Sequence, residues 1–316
     1  MKKFLKITGL VLGCIVLLLV GTAAYVNFAP APKYDPPAIL DLQVEATPAR
    51  VAKGQKIATT VCLGCHAGKD GKLSGQQMVD APKVFGKIYS MNITKHPEKG
   101  IGTWTDGELY TFLRTGLRKN GSFNAIMPKF VHMADEDVYS IIAWLRSDDP
   151  RLEPSELEPP THEFTILSKG LVKFVFKPFE MPKAPIPLPD TTNQIAWGRY
   201  LAIGTYDCYG CHSADFTKIN PMEPEKSVGF FGGGNPLLDY EGNVIPSKNI
   251  TPDPETGIGN WTEEEFIQAL KFGRRPDGTA LRYPMLPMAL LTDNEAKAIF
   301  AYLRTVPPIK NEIKKE

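Results

Sequence analysis

The sequence has no cysteine to spare for a disulfide. Four of its five cysteines stand in Cys62-Leu63-Gly64-Cys65-His66 and Cys208-Tyr209-Gly210-Cys211-His212, and the fifth, Cys14, sits alone in an apolar run. It has almost no net charge, +1 from 36 basic and 35 acidic residues. That balance excludes a nucleic-acid binder and leaves no strong field of one sign for steering a partner. Histidine is scarce, and of the five present two follow the paired cysteines. The other three, His96, His132 and His162, do not repeat between the two halves and read as surface or hydrogen-bonded residues rather than ligands. No signalling domain is visible. What remains is an ordinary globular composition, 43% apolar and 22% charged, in a chain long enough for two domains of about 100–150 residues each plus extra segments.

The two Cys-x-x-Cys-His stretches carry the chemistry. This spacing is the attachment signature of a c-type haem. The two thiols close on the two vinyl groups of one porphyrin, and the adjacent histidine gives an imidazole nitrogen to the iron. A zinc knuckle wants four ligands gathered at one site, and each stretch offers three in series. A thioredoxin-like redox pair needs no following histidine. Two covalently bound haem c groups are therefore expected, on Cys62 and Cys65 and on Cys208 and Cys211, with His66 and His212 as iron ligands.

The N-terminus has Lys2, Lys3 and Lys6, then an uncharged run from Ile7 to Phe28. The run is long enough to span a bilayer as a helix. Lysines before it and none just after it place the N-terminus in the cytoplasm and the rest outside. A cleaved signal peptide, with Thr22, Ala23 and Ala24 near the cut, and lipidation of Cys14 are the rival readings. The apolar run is longer than the usual signal core, and the residues after Cys14 are apolar where a polar tether is needed. Residues 1–28 are thus expected to form a transmembrane anchor. Residues 29–45, proline-dense from Ala29 to Pro37, are expected to be an extended linker that holds the first domain off the membrane.

The first domain is expected over 46–150. Thr47-Pro48 opens a helix through Val51, Ile57 and Ala58 into Cys62. Asn92-Ile93-Thr94 and Gly100-Ile101-Gly102-Thr103-Trp104-Thr105 follow. Thr105 with Glu108 forms a capping box ahead of Leu109, Phe112 and Leu113. After Ile126-Met127-Pro128 comes a last helix with Val138, Ile141, Ile142 and Leu145 on one face. The second domain, 191–310, repeats this order. Trp197-Gly198-Arg199-Tyr200-Leu201 leads to Cys208, and Asn249-Ile250-Thr251 to Gly257-Ile258-Gly259-Asn260-Trp261-Thr262. Capping boxes fall at Thr262 with Glu265 and Thr292 with Glu295, and Pro284-Met285 lies between them. Two copies of about 110 residues mean duplication of a domain rather than a solenoid. Asp135-Glu136-Asp137 and Glu263-Glu264-Glu265 fall in first helical turns, where carboxylates suit the dipole.

Three stretches lie outside the repeat. Residues 151–190 form a proline-rich strap whose apolar middle, Phe164 to Phe179, reads either as a short helix packed between the domains or as a plain linker. Phe230-Phe231-Gly232-Gly233-Gly234 reads most simply as a surface loop or tight hairpin, with a haem-edge role as the alternative. Residues 311–316 read as a tail. The three Asn-x-Thr matches at Asn92, Asn249 and Asn260 are read as structural loops rather than glycosylation sites.

Taken together, Cys-x-x-Cys-His, Asn-Ile-Thr, Gly-Ile-Gly-x-Trp-Thr, Met-Pro or Pro-Met and a last helix ending Trp144-Leu145 or Tyr302-Leu303 resemble the class I cytochrome c family. More narrowly, they are similar to the cytochrome c subunits of membrane-bound bacterial dehydrogenases for alcohols, gluconate and related substrates. Those subunits commonly carry three haem domains, and this chain has two. The resemblance covers residues 45–150 and 190–308. It implies an all-α fold: two tandem class I cytochrome c domains behind one N-terminal transmembrane helix. It implies that Gly54 and Gly198 let the first helix cross the last beside Trp144 and Tyr302. It also implies methionine as the second axial ligand, and Met127 and Met285 stand at matching distances before Trp144-Leu145 and Tyr302-Leu303. Met133 and Met288 are the rivals, read as core filler. A thioether opposite an imidazole raises the haem potential and suits an electron carrier. Trp104 and Trp261 are expected beside a haem or in the core.

The function that follows is single-electron transfer without substrate chemistry. The donor would be a membrane-bound dehydrogenase or quinol-oxidising complex, and the acceptor a terminal oxidase or another cytochrome. The setting would be the bacterial inner membrane, single-pass, with the haem domains on the periplasmic side. The rival is a dihaem enzyme of peroxidase or thiosulfate-oxidising type, which needs one haem with an open iron.

Overall fold

The structure, a computed structural model, describes residues 1–313. Of the expected tail, residues 314–316 lie outside the described residues. The first helix, α1 (Lys2–Phe28), is unbroken. It contains an 18-residue window of mean hydropathy 2.5, none of it buried, and is long and apolar enough to cross a membrane. Cys14 is exposed in its middle.

The first haem-motif unit is built on α2 (Pro48–Val61), α3 (Leu63–His66), α4 (Asp106–Thr115) and α5 (Asp135–Arg146). Their ends are set locally. Thr47 accepts from the Arg50 amide with Pro48 at the first helical position, and Thr105 with Glu108 closes a reciprocal capping box. Each such cap stabilises its helix by about 1 kcal/mol. The strap contains α6 (Ile166–Gly170) and a π-helical turn, Leu171–Val175. The second unit has α7 (Gln194–Arg199), a π-helical turn Tyr200–Thr205, α8 (Cys208–His212), α9 (Glu263–Phe272) and α10 (Asp293–Leu303). The capping boxes at Thr262 and Thr292 both form. Strands are minor. Among the described residues, β1 (Gly86–Lys87) pairs antiparallel with β2 (Glu163–Phe164), and β3 (Pro236–Leu238) with β4 (Val244–Pro246).

Two apolar clusters form the core. One gathers Ile57, Leu109, Leu113, Val138, Ile141, Ile142 and Trp144; the other gathers Trp197, Leu201, Phe266, Leu270, Ile299 and Leu303. These are the faces that the helical periodicity marks, and each fully buried side chain contributes roughly 1.5–3 kcal/mol. The first and last helices of each unit cross through a glycine. A Cβ on Gly54 would collide with the Ser140 carbonyl oxygen and sit 2.9 Å from the Trp144 Cβ. A Cβ on Gly198 would collide with the Ala298 carbonyl oxygen and sit 2.9 Å from the Tyr302 Cβ.

The linker 29–45 is laid along the first unit, and two expectations, on the strap and on Phe230–Gly234, are corrected. The Tyr34 amide donates to the Gly121 carbonyl at 2.9 Å, the Val44 amide donates to Asp106 Oδ2 at 2.9 Å, and Leu42 and Val44 pack against the core. The helix in the strap forms, but it packs on α1 and on the 83–85 turn of the first unit rather than between the units. Phe230–Gly234 is not a surface loop. Phe231 is 0% exposed, and its carbonyl accepts from the Ile250 amide at 2.9 Å. Its glycines admit close backbone contact: Gly233 has φ +70°, and a Cβ there would strike the Lys248–Asn249 peptide.

The two units are docked. Tyr200 donates to Asp137, His132 Nε2 donates to the Pro221 carbonyl at 2.7 Å, and Lys56 pairs with Glu295. Phe85 and Phe216 meet edge to face with ring centroids 5.5 Å apart.

Candidate functional site

Each Cys-x-x-Cys-His stretch is one helical turn that follows a longer helical segment. Cys62 ends α2 and α3 carries Cys65 and His66. In the second unit Asp207, at φ +49°, turns the chain from the Tyr200–Thr205 turn into α8. A single turn brings the first thiol, the second thiol and the imidazole to one place because residues three and four apart share a helix face.

Both histidines are held in the same way. His66 Nδ1 lies 2.7 Å from the Met91 carbonyl oxygen, and His212 Nδ1 lies 2.8 Å from the Lys248 carbonyl oxygen. A carbonyl only accepts, so each Nδ1 carries the proton and each Nε2 keeps its lone pair, the tautomer that a metal-binding imidazole needs. Burial pushes both imidazoles down, against the opposing pull of the carbonyl bond. They are therefore neutral at neutral pH.

The thiols are set against redox or metal-thiolate use. Burial pushes Cys62, Cys208 and Cys211 up to about 12 and Cys65 up to about 11. A Cys-x-x-Cys redox pair needs the opposite shift. Among the described residues no three His, Cys, Asp or Glu side chains gather as a metal-ion site. The donor set fits haem c instead: two thiols and a neutral imidazole in one turn, with a thioether against the same core, and all of it twice.

The Asn-Ile-Thr loops supply the carbonyls. Asn92 and Asn249 are each 4% exposed. Asn92 Oδ1 accepts from the Thr94 amide and hydroxyl, and its Nδ2 donates to the Ser155 and Leu157 carbonyls. Asn249 Oδ1 accepts from the Thr251 amide and hydroxyl, and its Nδ2 donates to the Ile309 carbonyl. These asparagines are sealed into loops whose preceding residue, Met91 or Lys248, holds the histidine. Sequence reasoning placed the loops but missed the histidine contact. The one signal was that both motifs sit at the same place in the repeat.

Met127 and Met285 are half-buried and packed against the first and second cores. The Met127 amide and the Ile126 amide both donate to Asn124 Oδ1 at 3.0 Å, which pins that loop. Met133 and Met288 are 0% and 8% exposed, inside the core. Trp104 packs against the first core and meets Phe112 edge to face, and Trp261 packs against the second. His96 Nε2 lies 3.1 Å from Glu156 Oε1, and His162 Nδ1 accepts from the Tyr89 amide. A further pairing went unread in the sequence: buried Arg114 bonds Asp135, and Lys271 bonds Asp293, so each pre-methionine helix is tied to the start of the last helix.

The two Cys-x-x-Cys-His turns are neighbours. The Tyr283 phenol of the second unit donates to Asp80 of the first, and the Asp80 charge raises the Cys65 and Cys211 thiols alike.

Two docked helical units, each with a neutral histidine beside paired thiols, define a c-type haem protein. A cytochrome c family model matches residues 51–148 and 198–307, and the chain belongs to the cytochrome c family. It is similar to the cytochrome c subunit of the quinone alcohol dehydrogenase of Gluconacetobacter polyoxogenes, 31% identical over 84% of this chain and 58% of the relative. The fructose dehydrogenase cytochrome subunit of Gluconobacter japonicus is 30% identical over 83% of this chain and 55% of its own. A dihaem c-type cytochrome of Cereibacter sphaeroides is 29% identical over 93% of this chain and 97% of its own. The chain thus spans little more than half the length of the dehydrogenase subunits that it matches.

Proposed function

We propose that this chain is a membrane-anchored dihaem cytochrome that relays single electrons. The donor is a membrane-bound dehydrogenase or quinol-oxidising complex, and the acceptor is a terminal oxidase or another cytochrome. The observation that carries this reading is the pair of identical histidine settings, His66 on Met91 and His212 on Lys248, in two matched units. The units are the domains 46–150 and 191–310, joined by the strap 151–190.

Cys62 and Cys65 would hold one haem as thioethers, and Cys208 and Cys211 the other. His66 and His212 would bind iron through Nε2, and Met127 and Met285 through sulfur. The haem supplies the reversible one-electron chemistry. The chain supplies fixed ligands: the carbonyl bonds keep the imidazoles in one tautomer and orientation, and the buried clusters keep water from the centre. The contact of Asp80 with Tyr283 across the interface holds the two attachment turns beside one another, which favours exchange between the haems. The helix α1 anchors the protein in the bacterial inner membrane, single-pass, and Lys2, Lys3 and Lys6 at its N-terminal end favour a periplasmic side for both domains.

The test is difference spectroscopy of membranes with and without this chain. Alcohols, sugars or aldonic acids are added anaerobically, then oxygen is admitted. The reading requires a haem c signal of this chain that one class of substrate reduces and oxygen restores. A signal that no membrane donor reduces would refute it.

A further inference from the structure

The strap segment 166–176 is built inside out. Two of its polar residues are covered, Ser168 at 5% and Lys173 at 8% exposed, and Lys169 is half-buried. Five of its seven large apolar residues face outward, with Ile166 at 55%, Leu167 at 45%, Phe174 at 55%, Val175 at 60% and Phe176 at 40%, while Leu171 and Val172 are half-buried. In water this is the wrong way round, and a contiguous exposed apolar patch of this kind marks an interaction surface.

The covered side explains the burial. The Thr165 hydroxyl donates to the Val84 carbonyl and the Ser168 hydroxyl to the Phe85 carbonyl, both at 2.7 Å. Lys173 Nζ donates to the Tyr25 carbonyl at 3.2 Å and to the Ala29 carbonyl, at the C-terminal end of α1. Lysine there gives the Ala29 carbonyl, just past the helix end, a partner, adds a second donor to the Tyr25 carbonyl that already accepts the Ala29 amide, and suits the negative end of the dipole. The Lys173 ammonium also lies 5.3 Å from the Tyr25 ring centroid, and the Phe174 ring 6.1 Å from it. Lys169 Nζ donates to Asn27 Oδ1. The segment is clamped to the last turn of α1 by its lysines, and its apolar face is continuous with exposed Tyr25 through Phe174.

Depth follows from length. The uncharged run Ile7–Phe28 rises roughly 33 Å as a helix, and a hydrocarbon core is about 30 Å thick. The last turn of α1, and whatever is clamped to it, therefore lies at the boundary between acyl chains and headgroups. Aromatic residues with lysines suit that layer.

We propose that residues 166–176 are a second membrane element, lying in the interface of the leaflet from which α1 emerges. Ile166, Leu167, Phe174, Val175 and Phe176 dip among the acyl chains, as in other interfacial amphipathic segments. Lys169, Lys173 and Lys177 stay at headgroup level. The occupant of the apolar face is the bilayer, because that face continues the surface of α1 and is flanked by Lys169 and exposed Lys177, whose positive charge suits anionic lipid. The proposal rests on the reading of α1 as a membrane span. Its consequence is a fixed tilt: the segment holds β1 through β2, and Phe85 in turn touches Phe216 of the second domain.

The test uses the full haem-loaded chain in vesicles of phosphatidylethanolamine and phosphatidylglycerol. The vesicles are doped with a phospholipid bearing a photoactivated diazirine near the headgroup end of one acyl chain. Adducts are mapped by mass spectrometry of peptides. The proposal requires adducts on α1 and on 166–176, and none at Tyr240, which is 69% exposed on the second unit. A variant with Phe174, Val175 and Phe176 each changed to serine should lose the adducts on 166–176 and keep those on α1. Adducts on α1 alone in the unaltered protein would overturn the proposal and leave the span reading standing. Adducts on neither segment would overturn both.

Discussion

The phenol of Tyr200, on the second unit, donates a hydrogen bond of 2.6 Å to Asp137 Oδ2 on the first, and accepts one of 3.1 Å from the Ala134 amide. Asp137 is 1% exposed and is also paired with Lys53. Burial and the Asp137 charge both push the Tyr200 phenol up, so it remains a donor at any working pH. Ala134 even belongs to the apolar cluster of the second unit. The two units therefore share a core at this point. Tyr200→Phe should leave a buried carboxylate short of a partner and cost about 1–3 kcal/mol. Denaturant unfolding of the haem-loaded protein, followed at both haems, checks this. The expected result is a lower midpoint with the two transitions drawn apart; an unchanged single transition would contradict it.

The glycine crossings should be the least tolerant small-residue positions. At Gly54 and Gly198 an added Cβ meets a backbone carbonyl, which cannot swing away as a side-chain end can. Gly54→Ala and Gly198→Ala should each cost about 3 kcal/mol. Thermal denaturation is the check, and each variant should weaken mainly the unit that contains it.

On the proposed function Met127 and Met285 are ligands and Met133 and Met288 are filler. Met127→Leu and Met285→Leu should each abolish the methionine-to-iron band of one ferric haem and lower its potential. Met133→Leu and Met288→Leu should leave both bands intact and cost less than about 1.5 kcal/mol, as volume-conserving swaps in a core do. Spectra of the four ferric variants decide between the two sets.

Asp207 sets a pH dependence. Burial pushes its carboxyl up to about 7, with the Gly210 amide pulling the other way. Above that pH it carries a negative charge beside Cys208, and a negative charge favours ferric over ferrous iron. The potential of the second haem should fall as pH rises through about 7, by no more than about 59 mV per pH unit. Stability follows the same sign. The folded carboxyl holds its proton more tightly than the unfolded one at 3.8, so stability declines from pH 3.8 to about 7 and is level above. Asp207→Asn should flatten both slopes in a redox titration and in unfolding measured across pH.

What the sequence made legible was what it encodes over short distances or says twice. The capping boxes at Thr105, Thr262 and Thr292 are three-residue patterns, and all three form. The pairing of Gly54 with Trp144 and of Gly198 with Tyr302 was implied by the family resemblance, and the agreement of two copies supported it. The carbonyl partners of His66 and His212 were not, because a loop of 25 or 36 residues decides which backbone oxygen arrives. The burial of Phe231 was hidden because a glycine run advertises flexibility, while the flanking phenylalanines decide where it packs. Composition identified the linker 29–45 as extended but could not tell a free strand from one laid along a surface. The inverted polarity of 166–176 makes sense only beside α1, which is far away in the chain.

Six-coordination of both irons, in a carrier with no open site, is checked by reducing the purified protein fully and titrating it with carbon monoxide, counting ligand bound per chain. Neither haem should bind it near neutral pH. Tight binding of one carbon monoxide per chain would contradict six-coordination, displace Met127 or Met285 as a ligand, and favour an enzyme over a carrier.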